Sequence, residues 1–404
     1  MKQNFKEDFP LLSNQDIVYF DSAATAQRPR CVIDAQREFY EECNANPLRG
    51  FYNIAMEATQ KVEDSRSCVK EFINARTNKE IIFTRNTTES INLVAFSWGL
   101  SFLHEGDEIL VTIAEHHSNM LPWKMVAEKA GATIRYLKCS LDGSYSEESI
   151  KAAVTSKTKF AAIQHVSNVL GSITPVDTII ELVHANGGKI LIDAAQSTPH
   201  MRVDVQKMDA DFLVFSGHKI MGPMGIGVLY GKEELLEKMP PFLTGGEMIE
   251  SVSIEKTVFA SLPHKFEAGT VNAAGAYGLK AAIDYINSVG IENIENREKE
   301  LTRYAFNQIE DIEGIKIIGS ADPDEHNGII SFIVDKVHPH DISAVLSENN
   351  IAVRAGHHCA QPLLKHLGIN SCTRASISFY NTYEDIDMLI KNLKSVRRLM
   401  GLDG

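Results

Sequence analysis

No stretch of this chain approaches the ~18 consecutive apolar residues of a membrane-crossing helix. Its opening MKQNFKEDFPLL has no continuous apolar run of signal-peptide length. Those two absences set the expectation of a cytoplasmic protein with no membrane partner. Basic charge is short as well: 40 Lys and Arg stand against 53 Asp and Glu, for a formal net charge of -13. A surface that neutralises nucleic-acid phosphates needs the opposite balance, so no nucleic-acid partner is expected. The densest basic run, Lys394 to Arg398, fits the solvated face of a C-terminal helix. CxxC pairs are missing altogether. Cys31, Cys43, Cys68, Cys139, Cys359 and Cys372 are scattered, which in a long cytoplasmic chain means free thiols rather than a disulfide framework or a zinc site. No internal repeat, low-complexity tract or Pro/Gly-rich linker marks a domain join.

What is present is an ordinary globular composition, 44% hydrophobic and 23% charged, over 404 residues. That length accommodates two domains. Between about residues 80 and 230, short apolar runs alternate with helical patterns: EIIF, EILVTI, KFAAIQHV, KILIDAA, DFLVFS and GIGVLYG. Runs this apolar suit strands covered on both faces, with segments such as Glu89 to Leu100 and Pro175 to Asn186 as helical crossovers. A mostly parallel α/β sheet is the expectation. After residue 285 the pattern changes to a long helix (Ile291 to Ile312), NGIISFIV, a helix from Pro339, IAVRAG, RASISFY and a closing helix. That mixture predicts a smaller α+β domain. The division is a large domain over residues 15–285 and a small one over 286–404, with residues 1–14 packing on the latter.

In open α/β sheets ligands sit outside the carboxyl ends of strands. EILVTI runs into AEHHSN, KFAAIQHV into SNVLG, KILI into DAAQ and DFLVF into SGHK. These ends deliver His116, Asn168, Asp193 with Gln196, and Lys219 to one crevice. Singly, Asp193 reads as a helix cap and Lys219 as a surface lysine; together they match one ligand. A lysine that can lose its proton forms a Schiff base, and a carboxylate at a pyridine nitrogen keeps that ring electron-accepting. Pyridoxal 5'-phosphate needs both. Its phosphate needs a seat, and FTRNTTES places Thr87 and Thr88 at a helix start, where N–H groups favour an anion. Capping alone also explains those threonines. Ser216 and His218, beside the lysine, extend the seat or form a polar turn.

The segments EHHSN, DAAQSTPH, FSGHKIMGPMGIGVLYG, GGEMI, FEAGT and RAGHHCAQP resemble, in this order, the class V aminotransferase family and within it the SufS-type cysteine desulfurases. The likeness runs from YFDSAATAQRP near residue 19 to RASISFYNT near 381. It implies the type I fold of pyridoxal phosphate-dependent transferases, with a mostly parallel seven-stranded sheet in the large domain. It implies that Lys219 carries the cofactor, His116 stacks on its ring, Asp193 pairs with the ring nitrogen and Gln196 with the phenolic oxygen. Thr88, Ser216 and His218 would bind phosphate with Thr270 of a second subunit, because the family is homodimeric. Asn168 and Arg374 would hold the substrate carboxylate, with Arg354 at the same mouth. Two departures stand out: RGFY (Arg49 to Tyr52) where relatives commonly have RGIH, and GTVN (Thr270 to Asn272) where GTPN is usual.

The reaction so implied takes L-cysteine to L-alanine and leaves a persulfide on Cys359, for a sulfur acceptor of the SufE or SufU type that feeds iron-sulfur cluster assembly. A free thiol with a pKa of about 8.5 is mostly protonated at neutral pH. Arg354, His357 and His358 are near enough in sequence to favour its thiolate. A selenocysteine lyase shares these motifs, and another class V enzyme shares those for the cofactor. A scaffold with a structural cofactor would have no need of Lys219, Asp193 and Cys359 together. A metal site at His357, His358 and Cys359 is disfavoured, since adjacent residues rarely aim three ligands at one ion.

Overall fold

The computed structural model describes residues 4–48 and 50–402; residues 1–3 and Arg49 of the RGFY segment lie outside the described residues. The apolar runs become strands of one seven-stranded sheet. In spatial order these are Ile81–Thr84, Gly227–Gly231, Phe212–Ser216, Lys189–Asp193, Thr158–Gln164, Glu108–Thr112 and Thr133–Leu137. Neighbours pair in parallel except for Gly227–Gly231, which is antiparallel to both of its partners. Alternation along each strand splits its side chains between two cores. Leu213 and Phe215 join one core with Ile190 and Ile192, while Phe212 and Val214 join the other with Leu191 and Val111. Burial on both faces is why these runs are apolar without a break.

The helix Ala273–Val289 packs against helices Arg30–Glu42 and Asn53–Phe72 on one side of this sheet. Beyond Gly290 the helix Ile291–Glu310 opens a second body. Its antiparallel sheet has the order Ile315–Ile318, Ile329–Val334, Cys372–Ser376, Arg354–Gly356. Helices Pro339–Ser347 and Tyr383–Leu399 share its core with Leu301, Phe306, Ile330 and Phe332. The N-terminal segment joins both bodies. Phe9 and Leu12 sit in the large core, whereas Val18 and Phe20 sit in the small one, where Val18–Tyr19 pairs in parallel with Ile351–Ala352.

Two of the edge strands are not marked by long apolar runs in the sequence. Thr133–Leu137 and Ile315–Ile318 lie at sheet edges and leave all but one of their residues partly exposed. The crossover expected over Glu89 to Leu100 is an α-helix only for Thr87–Val94 and then widens into a π-helical turn, Ala95–Gly99. All six cysteines are free thiols. Among the described residues no group of three His, Cys, Asp or Glu could hold a metal ion, and no helix is long and apolar enough to cross a membrane.

Candidate active site

The parallel strands end on one side of the sheet, and the polar residues that follow them meet there. Asp193 is the last residue of its strand, and Lys219 closes the short turn Gly217–Lys219 after Phe212–Ser216. His116, Asn168, Gln196, Thr87, Thr88, Ser216 and His218 line the same cavity as Asp193 and Lys219. The small body adds Arg354, Cys359 and Arg374. Thr270 is not brought in: it is exposed and lines a separate cleft with Thr84, Arg85 and Asn272.

The helix start at Thr87 is fixed by close backbone approach. A Cβ on Gly227 would lie 2.6 Å from the Asn86 Cα, so only glycine lets the end of that strand pass beneath Asn86. Asn86 caps the helix by accepting the Glu89 N–H at 2.9 Å. Ser216 Oγ accepts the Thr87 N–H at 2.8 Å and meets Thr87 Oγ1 at 2.6 Å. Thr88 Oγ1 lies 2.8 Å from Ser118 Oγ. Four hydroxyls and a helix N-terminus therefore gather at one end of the cavity, an arrangement suited to an anion.

Burial sets the protonation of the other end. It pushes the Lys219 ammonium down to about 8 against the pull of Asp193, with Arg374 adding to the depression. Burial pushes the Asp193 carboxyl up, and Lys219 partly offsets this. One Asp193 oxygen accepts the Ala195 N–H at 3.0 Å. Burial, then the charge of Lys219, brings His116 down to about 3, so it is neutral. Its Nδ1 accepts the Ser118 N–H at 3.1 Å, which leaves the proton on Nε2. His218 is likewise lowered to about 4 by burial and Lys219.

Cys359 is exposed at the cavity mouth, on a loop where both it and His358 adopt left-handed backbone, φ 55° and 50°. His358 turns inward: its Nε2 meets the Cys372 carbonyl at 3.1 Å, and burial holds it down to about 3. Of the three residues near enough in sequence to favour the thiolate, His358 therefore brings no charge, because its ring is neutral. His357 accepts the Cys359 N–H on Nδ1 at 3.2 Å and acts as loop structure. Arg354 and Arg374 are opposed residues of adjacent strands and share Asp21. Arg354 grips it through Nε and a terminal nitrogen at 3.1–3.2 Å, and Arg374 reaches it at 3.3 Å. A second terminal nitrogen of Arg374 donates to the Asn168 carbonyl at 2.8 Å.

Residues 18–389 match the family model described as aminotransferase class-V. The chain belongs to the class-V aminotransferase family. A probable cysteine desulfurase of Halalkalibacterium halodurans is 48% identical to this class-V chain over 400 residues, 98% of each. A cysteine desulfurase of Cronobacter sakazakii is 44% identical over 404 residues, 99% of each. The apo structure of a cysteine desulfurase from Thermococcus onnurineus matches with a TM-score of 0.93 at 40% identity, covering 97% of both chains. The S-sulfonic acid form of an Escherichia coli cysteine desulfurase matches at 0.91 and 38%, covering 98% of both.

Within this class-V site, five buried side-chain atoms have no hydrogen-bond partner: Gln164 Nε2, Asn168 Oδ1, Gln196 Oε1, His358 Nδ1 and Arg374 Nε. All five residues line the cavity. Buried polar atoms are rarely left unpaired, so they mark where a polar molecule belongs. Sequence reasoning did not single out Gln164, Asp21 or Glu115. Gln164 is the last residue of its strand and pairs in register with Asp193, so the strand-end logic that yields Asp193 also reaches Gln164. Asp21 belongs to the YFDSAAT segment and shows its role only when two arginines converge on it. Glu115, next to His116 in sequence, is wholly buried; its Oε1 accepts from Thr112 Oγ1 and the Gln164 N–H, and its Oε2 from Asn119 Nδ2.

Proposed function

We propose that this protein is a pyridoxal phosphate-dependent cysteine desulfurase that converts L-cysteine to L-alanine and keeps the sulfur as a persulfide on Cys359. The observation that carries the reading is the meeting of Lys219, Asp193, His116 and Cys359 around one cavity in a chain of this family. The cofactor fits the residues present. The hydroxyls of Thr87, Thr88 and Ser216, with His218, suit its phosphate; the Asp193 carboxylate suits its ring nitrogen; the free Gln196 Oε1 suits its phenol. When bound, pyridoxal phosphate supplies a ring that accepts electrons and so eases loss of the substrate's Cα proton.

The chain's own groups do the rest. Lys219 anchors the cofactor and, once displaced by substrate, takes the Cα proton; an amine lowered to about 8 suits that task near neutrality. Arg374 offers its unpartnered Nε to the substrate carboxylate. Asn168 commits Nδ2 to the His358 carbonyl and has a free Oδ1, so it accepts from an N–H or O–H of the bound molecules and leaves the carboxylate to Arg374. The Cys359 thiolate bonds to the substrate sulfur as the Cβ–S bond breaks, with the electron pair staying on carbon. The Nε2 proton of neutral His116 can be passed to that carbon. In sum, L-cysteine and one thiol give L-alanine and one persulfide.

The exposed position of Cys359 supports hand-off to an acceptor protein of the SufE or SufU type, and through it to iron-sulfur cluster assembly. The RAGHHCAQP segment around Cys359 supports the SufS-type group. Assembly as a homodimer is supported by the exposed apolar run Phe51, Tyr52, Ile54 and Met56, a patch that monomers seldom leave in water. Thr270 would then complete the phosphate seat of a second copy. The free thiols support a cytoplasmic location. We place the domain join at Gly290, where the helix Ala273–Val289 ends, rather than at 285.

Mass spectrometry after incubation with L-cysteine tests the reading, with about 32 Da expected on Cys359 for one added sulfur. Alanine formed with no sulfur on Cys359 of the unmodified protein, or formed as fast by a Cys359→Ala protein, would sink it.

A further inference from the structure

The loop that carries Cys359 is held in a conformation its residues do not favour. Two consecutive non-glycine residues, His358 and Cys359, have φ of 50° and 55°. Such backbone persists only where the surroundings impose it. On the inner side, Asn168 Nδ2 donates to the His358 carbonyl at 2.8 Å, and His358 Nε2 meets the Cys372 carbonyl at 3.1 Å. On the outer side the contacts come from His117, in the turn that follows the strand Glu108–Thr112. The His117 N–H donates to the Cys359 carbonyl at 2.7 Å, and its ring Nε2 accepts the Gln361 N–H at 3.2 Å. His117 thus brackets Cys359, gripping the residue's own carbonyl and the amide two residues on. Its ring lies 5.8 Å from that of His357, which accepts the Cys359 N–H.

We infer that His117 is a positioning residue, whose ring latches the cysteine loop to the large sheet and holds the thiol over the cavity. This rests on the reading that Cys359 receives the sulfur. The two histidines of EHHSN then divide the work through opposite tautomers. His116 accepts on Nδ1 and presents Nε2–H, while His117 accepts on Nε2 and keeps its proton on Nδ1. Burial, with His357 and Lys124 nearby, lowers the affinity of His117 for a second proton, which keeps Nε2 an acceptor. The latch touches neither Arg374 nor Lys219, so its loss should slow sulfur transfer without weakening substrate binding.

The test uses the holoenzyme with His117→Ala, His117→Gln and Cys359→Ala variants. His117→Ala is expected to keep the cofactor's absorbance and a KM for L-cysteine within about threefold, while kcat falls about tenfold or more. His117→Gln, whose side-chain oxygen can accept in place of Nε2, should recover most of kcat. Hydrogen exchange on the unmodified holoenzyme gives a reading independent of turnover and of any variant's folding: the Gln361 amide should be protected, and should lose protection in His117→Ala. An unprotected Gln361 amide in the unmodified protein, an undiminished kcat in His117→Ala, or equal loss in both His117 variants overturns the latch. If Cys359→Ala still desulfurates L-cysteine, the sulfur reading fails instead, while the exchange result stands on its own.

Discussion

The side-chain amide of Asn168 donates from Nδ2 to the carbonyl oxygen of His358 at 2.8 Å. This bond ties the segment after the strand Thr158–Gln164, in the large body, to the cysteine loop of the small one. Replacing Asn168 by alanine leaves a buried carbonyl without its donor, a loss of about 1–3 kcal/mol. We expect Asn168→Ala to lower the urea midpoint and also to raise KM for L-cysteine, because Oδ1 is lost from the cavity. Thermal or urea unfolding read beside steady-state kinetics checks both; an unchanged midpoint would show that the bond contributes nothing to the join.

Lys219 provides a second test that needs no substrate. Its amine must be neutral to capture pyridoxal phosphate, and burial, opposed by Asp193, holds its pKa at about 8. In cofactor-free protein the capture rate should rise with pH, level off above about 8, and follow a single ionisation. Stopped-flow absorbance would show it. A rate still climbing toward the ordinary lysine value of 10.5 would mean that the buried environment does not depress this amine.

Much of this arrangement is legible in the sequence because strands covered on both faces cannot hide. The stretches ILI and FLVF are apolar without interruption, so the polar residues that follow them, Asp193 and the group Ser216, His218 and Lys219, stand out at the strand ends. Thr133–Leu137 and Ile315–Ile318 escape the same logic because edge strands have solvent on one side and read as mixed segments. The thiol's surroundings were not legible. His357 and His358 are adjacent in sequence, yet two left-handed residues turn one ring into the core and leave the other as a backbone acceptor. Asp21 is 333 positions from Arg354 and acquires meaning only through the fold.

Asp193→Asn should separate function from stability. Without a ring nitrogen beside it, the Asp193 carboxylate is buried at a cost that Lys219 offsets only in part, so its pKa is pushed up. An amide of the same shape can keep the Ala195 N–H bond and carries no charge to desolvate. We therefore expect the cofactor-free variant to unfold at a higher temperature than the unmodified protein. Turnover should fall roughly 100-fold or more, since an amide cannot hold a proton on the ring. A purely structural aspartate would lose in both measurements, and that outcome would remove Asp193 from the mechanism.

Glu115 gives the pH dependence its sign. Burial raises its carboxyl from 4.5 to about 8, against hydrogen bonds from the Gln164 N–H, Asn119 and Thr112. The folded protein therefore holds this proton more tightly than the unfolded chain. The resulting stability is complete below the unfolded value near 4.5 and is lost as pH rises through about 8. Each unit of separation is worth about 1.4 kcal/mol, so the decline should amount to several kcal/mol. Urea midpoints of the cofactor-free protein should fall between about pH 7 and 8, above the range near 6.5 where the buried neutral His116, His218 and His358 make stability rise with pH. Glu115→Gln should flatten that fall without abolishing it, because Asp193 is shifted in the same direction. The slope is diagnostic rather than the level: an amide nitrogen cannot reproduce every bond that the carboxyl accepts, so the variant starts from lower stability. Equal slopes in the two proteins would show that Glu115 is already ionised in the fold and that the three donors around it outweigh its burial.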